Sequence, residues 1–164
     1  MDAKFYQDDR GVSITVTHAL TIAITTVLIA MLLMAGGTLL ENEKENSAQT
    51  SLETVGERLS DEISNVDRAA VGTNDEVTAT ADHPRTVAGS SYMVELLTAG
   101  DCQDAPLLEG STDCLRLTAT DADSVVYVPV KVDATVNDGD PILGGTIEIQ
   151  YRPTGEISIH GGTS

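Results

Sequence analysis

Residues 12–40 carry no formal charge over 29 consecutive positions, and no other feature of the sequence limits the possible folds so strongly. A membrane-spanning helix needs about 20 predominantly apolar residues, whereas the apolar part of a cleaved secretory signal runs to roughly 7–15. The segment is therefore expected to stay on the chain and to meet membrane lipids. At about 1.5 Å per residue a helix of this length extends roughly 43 Å, beyond a hydrocarbon core of ~30 Å. It must tilt, reach into the headgroups or pass into another packed setting.

The flanks suggest an orientation. Lys4 and Arg10 lie on the short leading side, diluted by Asp2, Asp8 and Asp9, while 23 acidic and 7 basic residues follow residue 40. The positive-inside bias places the N-terminus in the cytoplasm and the C-terminal part outside the cell. With 26 acidic residues against 9 basic ones and a formal charge of −17, the chain has no basic face for phosphates, which excludes nucleic acid as a partner. Self-repulsion of this size is relieved when salt shortens the screening length, so the composition suits a salt-loving source.

Inside the apolar run, Thr17, Thr21 and Thr25 recur every four residues beside His18. Such threonines either back-bond to the carbonyl four residues earlier or pack against a second helix. His18 near the cytoplasmic end reads as an interfacial imidazole rather than a proton relay. Past Gly36-Gly37, a weak spot where a helix can kink, the pattern stays helical. Ala48, Leu52, Val55, Leu59, Ile63, Val66 and Ala70 are spaced 4, 3, 4, 4, 3 and 4, with Glu53, Glu57, Asp61 and Glu62 off the stripe. This narrow apolar face has two candidate occupants: the rest of the same chain, or a seam with another subunit. Gly72-Thr73-Asn74-Asp75 marks the stop.

From about residue 76 the period changes to two. Val126, Val128, Val130, Val132, Ala134 and Val136 alternate with polar positions, which predicts one half-buried strand. Pro129 lacks an amide donor and puts that strand at an edge or a bulge. Ile147, Ile149 and Tyr151 lead through Arg152-Pro153-Thr154-Gly155 to Ile157 and Ile159, a hairpin around a type I turn. Two more strands are expected near residues 91–98 and 114–120, bracketing Cys102 and Cys114. In an extracellular setting these cysteines are expected to form a disulfide rather than remain free thiols. Two cysteines with no paired histidine make no zinc site.

Catalytic chemistry is not legible. His83 precedes a proline, His160 lies near the tail, and neither has a recognisable nucleophile partner; no glycine-rich phosphate loop occurs. Asp121 with Asp123, and Asn137-Asp138-Gly139-Asp140, offer oxygens, but the 12-residue calcium-loop spacing is absent. Neither enzyme activity, nor a metal, nor a cofactor is expected. No Asn-x-Ser/Thr sequon is present.

The leading edge carries a resemblance. Asp8-Asp9-Arg10-Gly11-Val12-Ser13 running straight into the apolar helix resembles the class III signal of archaeal type IV pilins. The likeness extends through residues 20–37, Leu52-Glu53-Thr54-Val55-Gly56-Glu57-Arg58-Leu59 and Val87-Ala88-Gly89-Ser90-Ser91-Tyr92 to pilin-like membrane proteins of haloarchaea. It implies a prepilin peptidase that recognises Arg10, Gly11, Val12 and Ser13, cuts after Gly11 and leaves Val12 as the new N-terminus, with other pilin subunits as further partners. Ile14 and Thr15 stand where major haloarchaeal pilins commonly have a proline, which points to a minor pilin or a non-polymerising relative.

The sequence thus predicts an α+β protein. Residues 1–11 form a cytoplasmic leader, 12–40 a transmembrane helix, 41–72 an amphipathic extracellular helix, and 76–164 a small antiparallel β-sheet ectodomain. The expected role is that of a pilin-like subunit, membrane-anchored and available for a surface filament. The alternative is an uncleaved, signal-anchored binding module of the cell envelope.

Overall fold

Helix α1 occupies Asp9–Ala70 in the computed structural model, and the remaining regular structure among the described residues is β. The structure describes residues 9–73, 75–103, 105 and 111–162, with side chains from Thr15 onward. Two compact units divide between Asn42 and Glu43. The α+β class is therefore observed, with the described residues of the first unit helical and the second holding the rest of α1 and every described strand.

Gly36 and Gly37 are both helical. The helix ends where expected: Gly72 takes φ +82°, and the Thr73 amide and hydroxyl both donate to the Ala70 carbonyl, at 3.0 and 2.9 Å. A left-handed residue just past the last turn lets the chain fold back and satisfy an otherwise orphaned carbonyl, and glycine adopts it without a Cβ clash.

The strands are β1 Val77–Asp82, β2 Thr86–Val87, β3 Ser90–Leu97, β4 Cys114–Ala119, β5 Val125–Pro129, β6 Thr135–Val136, β7 Ile142–Leu143, β8 Thr146–Arg152 and β9 Glu156–Gly161. They make two sheets, β1-β8-β9-β6 and β2-β3-β4-β5, with β7 also pairing β3. All pairings are antiparallel except β6 with β9.

The apolar stripe on α1 packs on its own β-domain. Ala48, Leu52, Val55, Leu59, Ile63, Val66 and Ala70 are all buried, and the first six belong to one core cluster with inward residues of both sheets, among them Leu117, Val128, Ile147 and Ile157. Of the two occupants open from sequence, the same chain takes the face. Gly56 sits on this stripe, where an added Cβ would lie 2.6 Å from Val128 Cγ2 and 2.9 Å from Leu117 Cδ1. The backbone of α1 approaches the β4–β5 ladder too closely for any larger residue.

One expectation needs correction. The alternation over residues 126–136 predicts a single strand, but the segment is split between two sheets, β5 in one and β6 in the other. Burial still alternates, with Val126, Val128, Val130 and Val136 buried. Period two reports which side chains face the core, and it is silent about which neighbour takes the backbone hydrogen bonds. Pro129 ends β5, an edge strand, as its missing amide requires.

The β8–β9 hairpin has the expected turn. Arg152 pairs with Glu156, the Gly155 amide donates to the Arg152 carbonyl at 2.9 Å, and Gly155 has φ +83°. Cys102 and Cys114 form a disulfide with Cα atoms 6.1 Å apart. It ties the loop after β3 to the first residue of β4. Closing a loop of this size constrains the unfolded chain by about 3 kcal/mol. The Cys102→Ser/Cys114→Ser pair is accordingly expected to lower stability by about that amount, read as a drop in the chemical denaturation midpoint with a steeper slope, because the unfolded chain is then free to expand.

Candidate functional site

The first unit offers one chemical feature. Its large apolar side chains from Val16 to Leu40 are 52–77% exposed, on a helix whose most apolar 18-residue window has a mean hydropathy of 2.3 and no buried residue. The helix is long and apolar enough to cross a membrane once. Its hydroxyls do not demand a second helix: Thr21 donates to the Thr17 carbonyl at 2.8 Å, Thr25 to Thr21 at 2.7 Å and Thr26 to Ile22 at 2.8 Å. Back-bonding of this kind satisfies a hydroxyl within the helix itself.

The second unit uses α1 as a scaffold for chain that has left the sheets. Ser60 Oγ donates to the Pro129 carbonyl at 2.8 Å, and Ser64 Oγ to the Lys131 carbonyl at 3.0 Å. The buried Asp67 carboxylate accepts the Asp133 amide at 2.8 Å and the Ala134 amide at 3.1 Å. Ser60, Ser64 and Asp67 each follow a stripe residue by one position, so they line one flank of the buried face. They take the backbone groups that a neighbouring strand would otherwise take. That is why residues 130–134 alternate like a strand without pairing as one.

On the same stretch of helix, Glu62 Oε2 lies 3.1 Å from Nε2 of the buried His83. His83 Nδ1 is buried with no hydrogen-bond partner among the described residues. His83 lies in the loop after β1, and its ring is packed against α1. Tyr92, among the largest fully buried side chains, donates its hydroxyl to the Pro84 carbonyl at 2.6 Å. Burial pushes its pKa above the usual phenol value, against the opposing effect of a backbone hydrogen bond from Gly145. On β4, burial acts to lower the Arg116 pKa, but hydrogen bonds and charge from Glu95, with Tyr127, outweigh it and hold the guanidinium above its usual range.

Comparison with known proteins adds one decisive finding. The profile of a family of unknown function, DUF7266, matches residues 7–156. The chain belongs to that family. No curated protein and no solved structure matched. The match takes in the apolar helix together with the β-domain as far as the first residue of β9.

The residues singled out from sequence fall as follows in this DUF7266 chain. Arg10, Gly11, Val12 and Ser13 lie in the first turns of α1, their side chains outside the described residues, and residues 1–8 lie wholly outside them. The acidic clusters lie in connecting segments between strands. Asp121 donates its amide to Ser90 Oγ at 2.8 Å and its carbonyl accepts Lys44 Nζ at 3.2 Å; Asp138 Oδ1 accepts the Thr98 amide at 2.8 Å. Among the described residues no group of three or more His, Cys, Asp or Glu is arranged to hold a metal ion. His160 Nε2 lies 3.1 Å from Ser158 Oγ on β9.

Sequence reasoning missed a groove. It has a volume of about 700 Å³ and runs between the acidic face of α1 and the outer edge of β5, with Glu53, Glu57 and Asp61 on one wall and Val125, Tyr127 and Pro129 on the other. The acids were legible as residues off the stripe. Their juxtaposition with a sheet edge was not.

Proposed function

We propose that this protein is a pilin-like structural subunit, anchored by residues 12–40 after a prepilin peptidase removes the leader, and that its role is non-catalytic. The observation that supports the reading most is the division of labour along α1. The stretch before residue 41 exposes its apolar side chains on all sides, while from Ala48 onward the apolar stripe is buried. A helix with one segment made for lipid or a filament core, and a later segment committed to its own β-domain, suits a subunit held by its N-terminal segment. In this reading the N-terminus faces the cytoplasm, the disulfide-bearing domain lies outside the cell, and the acidic surface suits a salt-rich medium.

The experiment is intact-mass and N-terminal peptide analysis of the membrane-extracted protein. A mature start at Val12 is expected, lost when Arg10 or Gly11 is substituted; a retained leader rejects processing and leaves the signal-anchored binding module. That second reading has its own support, because burial of the Ala48–Ala70 stripe leaves no second apolar seam on that part of α1 for a neighbouring subunit. Sheared surface fibres containing the subunit are the expected result for a minor pilin, and their absence from processed protein favours a non-polymerising relative.

A further inference from the structure

Among the described residues, no strand pairs with the outer edge of β5. The Ala119 amide donates to the Ser124 carbonyl at 2.9 Å and the Val130 amide to the Asp113 carbonyl at 2.8 Å, and between them Leu117 pairs with Val126 and Leu115 with Val128. Hydrogen bonding alternates along an antiparallel ladder, so Ser124, Val126, Val128 and Val130 turn their backbone groups toward β4, while Val125, Tyr127 and Pro129 turn theirs outward. Ser60 Oγ takes the Pro129 carbonyl. No described residue takes the amides and carbonyls of Val125 and Tyr127.

The groove beside that edge is built for one sign of charge. Glu53, Glu57 and Asp61 are exposed along its wall, and no Lys or Arg among the described residues pairs with them. Their spacing of four residues is a rise of about 6 Å along a helix, and same-face side chains on a strand repeat about every 6.6 Å. The Ser60 and Ser64 contacts, to Pro129 and then Lys131, show that α1 and β5 run in the same direction. A strand added at β5 therefore presents every second side chain to the row of carboxylates, nearly in step.

We propose that this groove is a docking site for an extended segment of another protein with basic residues at alternate positions, which adds as a further strand beyond β5. Backbone pairing at Val125 and Tyr127 supplies the register, and Glu53, Glu57 and Asp61 select the charge. A second copy of this chain does not supply the occupant, because none of its nine Lys and Arg residues lie two apart. The inference does not depend on the pilin reading.

The test uses the full chain in detergent micelles at low salt, with the acetylated, amidated peptide Thr-Lys-Val-Lys-Thr-Lys-Val as probe. Saturable binding is expected, with new hydrogen-exchange protection at the Val125 and Tyr127 amides. Affinity should fall at least tenfold in the Glu53→Gln/Glu57→Gln/Asp61→Asn variant, whose exposed positions leave the unfolding midpoint unchanged. A peptide N-methylated on the valines and threonines, or one with glutamate for lysine, should bind at least tenfold more weakly. In case methylation affects the two edges differently, the complementary lysine-methylated peptide is measured as well. Equal binding by both methylated peptides and the parent overturns strand addition. Absence of binding, protection elsewhere, or self-association of the protein through this groove without peptide overturns the proposal as a whole.

Discussion

Asp67→Ala is expected to destabilise the β-domain by about 2–5 kcal/mol. Asp67 is 5% exposed, and its carboxylate accepts two backbone amides, from Asp133 and Ala134. Removing it strands two amides beside the helix, each costing about 1–3 kcal/mol when left without a partner. Asp67→Asn keeps one acceptor oxygen and is expected to lose about half as much. Chemical denaturation of the full chain in micelles, followed by β-sheet circular dichroism, measures both. The loss should localise as well: hydrogen exchange at Asp133 and Ala134 should accelerate before exchange in β8 and β9. A variant that unfolds at the wild-type midpoint would remove the scaffold role assigned to this face of α1.

The second large effect is expected at Gly144. A Cβ there would lie 2.2–2.6 Å from three ring carbons of Tyr92, while the Gly144 amide is held by the Tyr92 carbonyl at 2.9 Å. Neither partner has room to retreat, since Tyr92 is fully buried and its hydroxyl is fixed to Pro84. Overpacking a rigid core costs about 1–3 kcal/mol and more when the ring must leave its site, so Gly144→Ala is expected to cost about 3 kcal/mol or more. The mechanism has its own check. In a Tyr92→Leu background, already weakened by loss of the ring, Gly144→Ala should add little. Additive losses would show that backbone conformation at Gly144, rather than contact with Tyr92, is responsible.

Much of the architecture was legible because it is written in periods. Seven residues from Ala48 to Ala70 at helical spacing announced a buried face, and all seven are buried. The change to period two near residue 76, the Pro153–Gly155 turn and the paired cysteines were equally local signals, each set by a few neighbouring residues. What stayed hidden depends on atoms distant in sequence. Ser60, Ser64 and Asp67 look like ordinary polar positions on a helix, and their meaning appears only when residues 129–134 are laid beside them. Gly144 reads as a loop glycine until the Tyr92 ring is found against it. Likewise His83 is a loop histidine in sequence, and only packing brings Glu62 to its Nε2.

The linear order of residues was enough to establish a long uncharged helix, an amphipathic continuation and an acidic β-rich remainder, because hydrophobic burial and backbone pairing act over a few residues and leave a repeat. Tertiary structure alone decided that the α1 stripe is covered by its own chain, that residues 125–136 pass from one sheet to the other along a helix flank, and that an acidic wall faces the outer edge of β5. Those outcomes depend on which surfaces meet, and meeting is a property of distances between remote segments that no local pattern encodes.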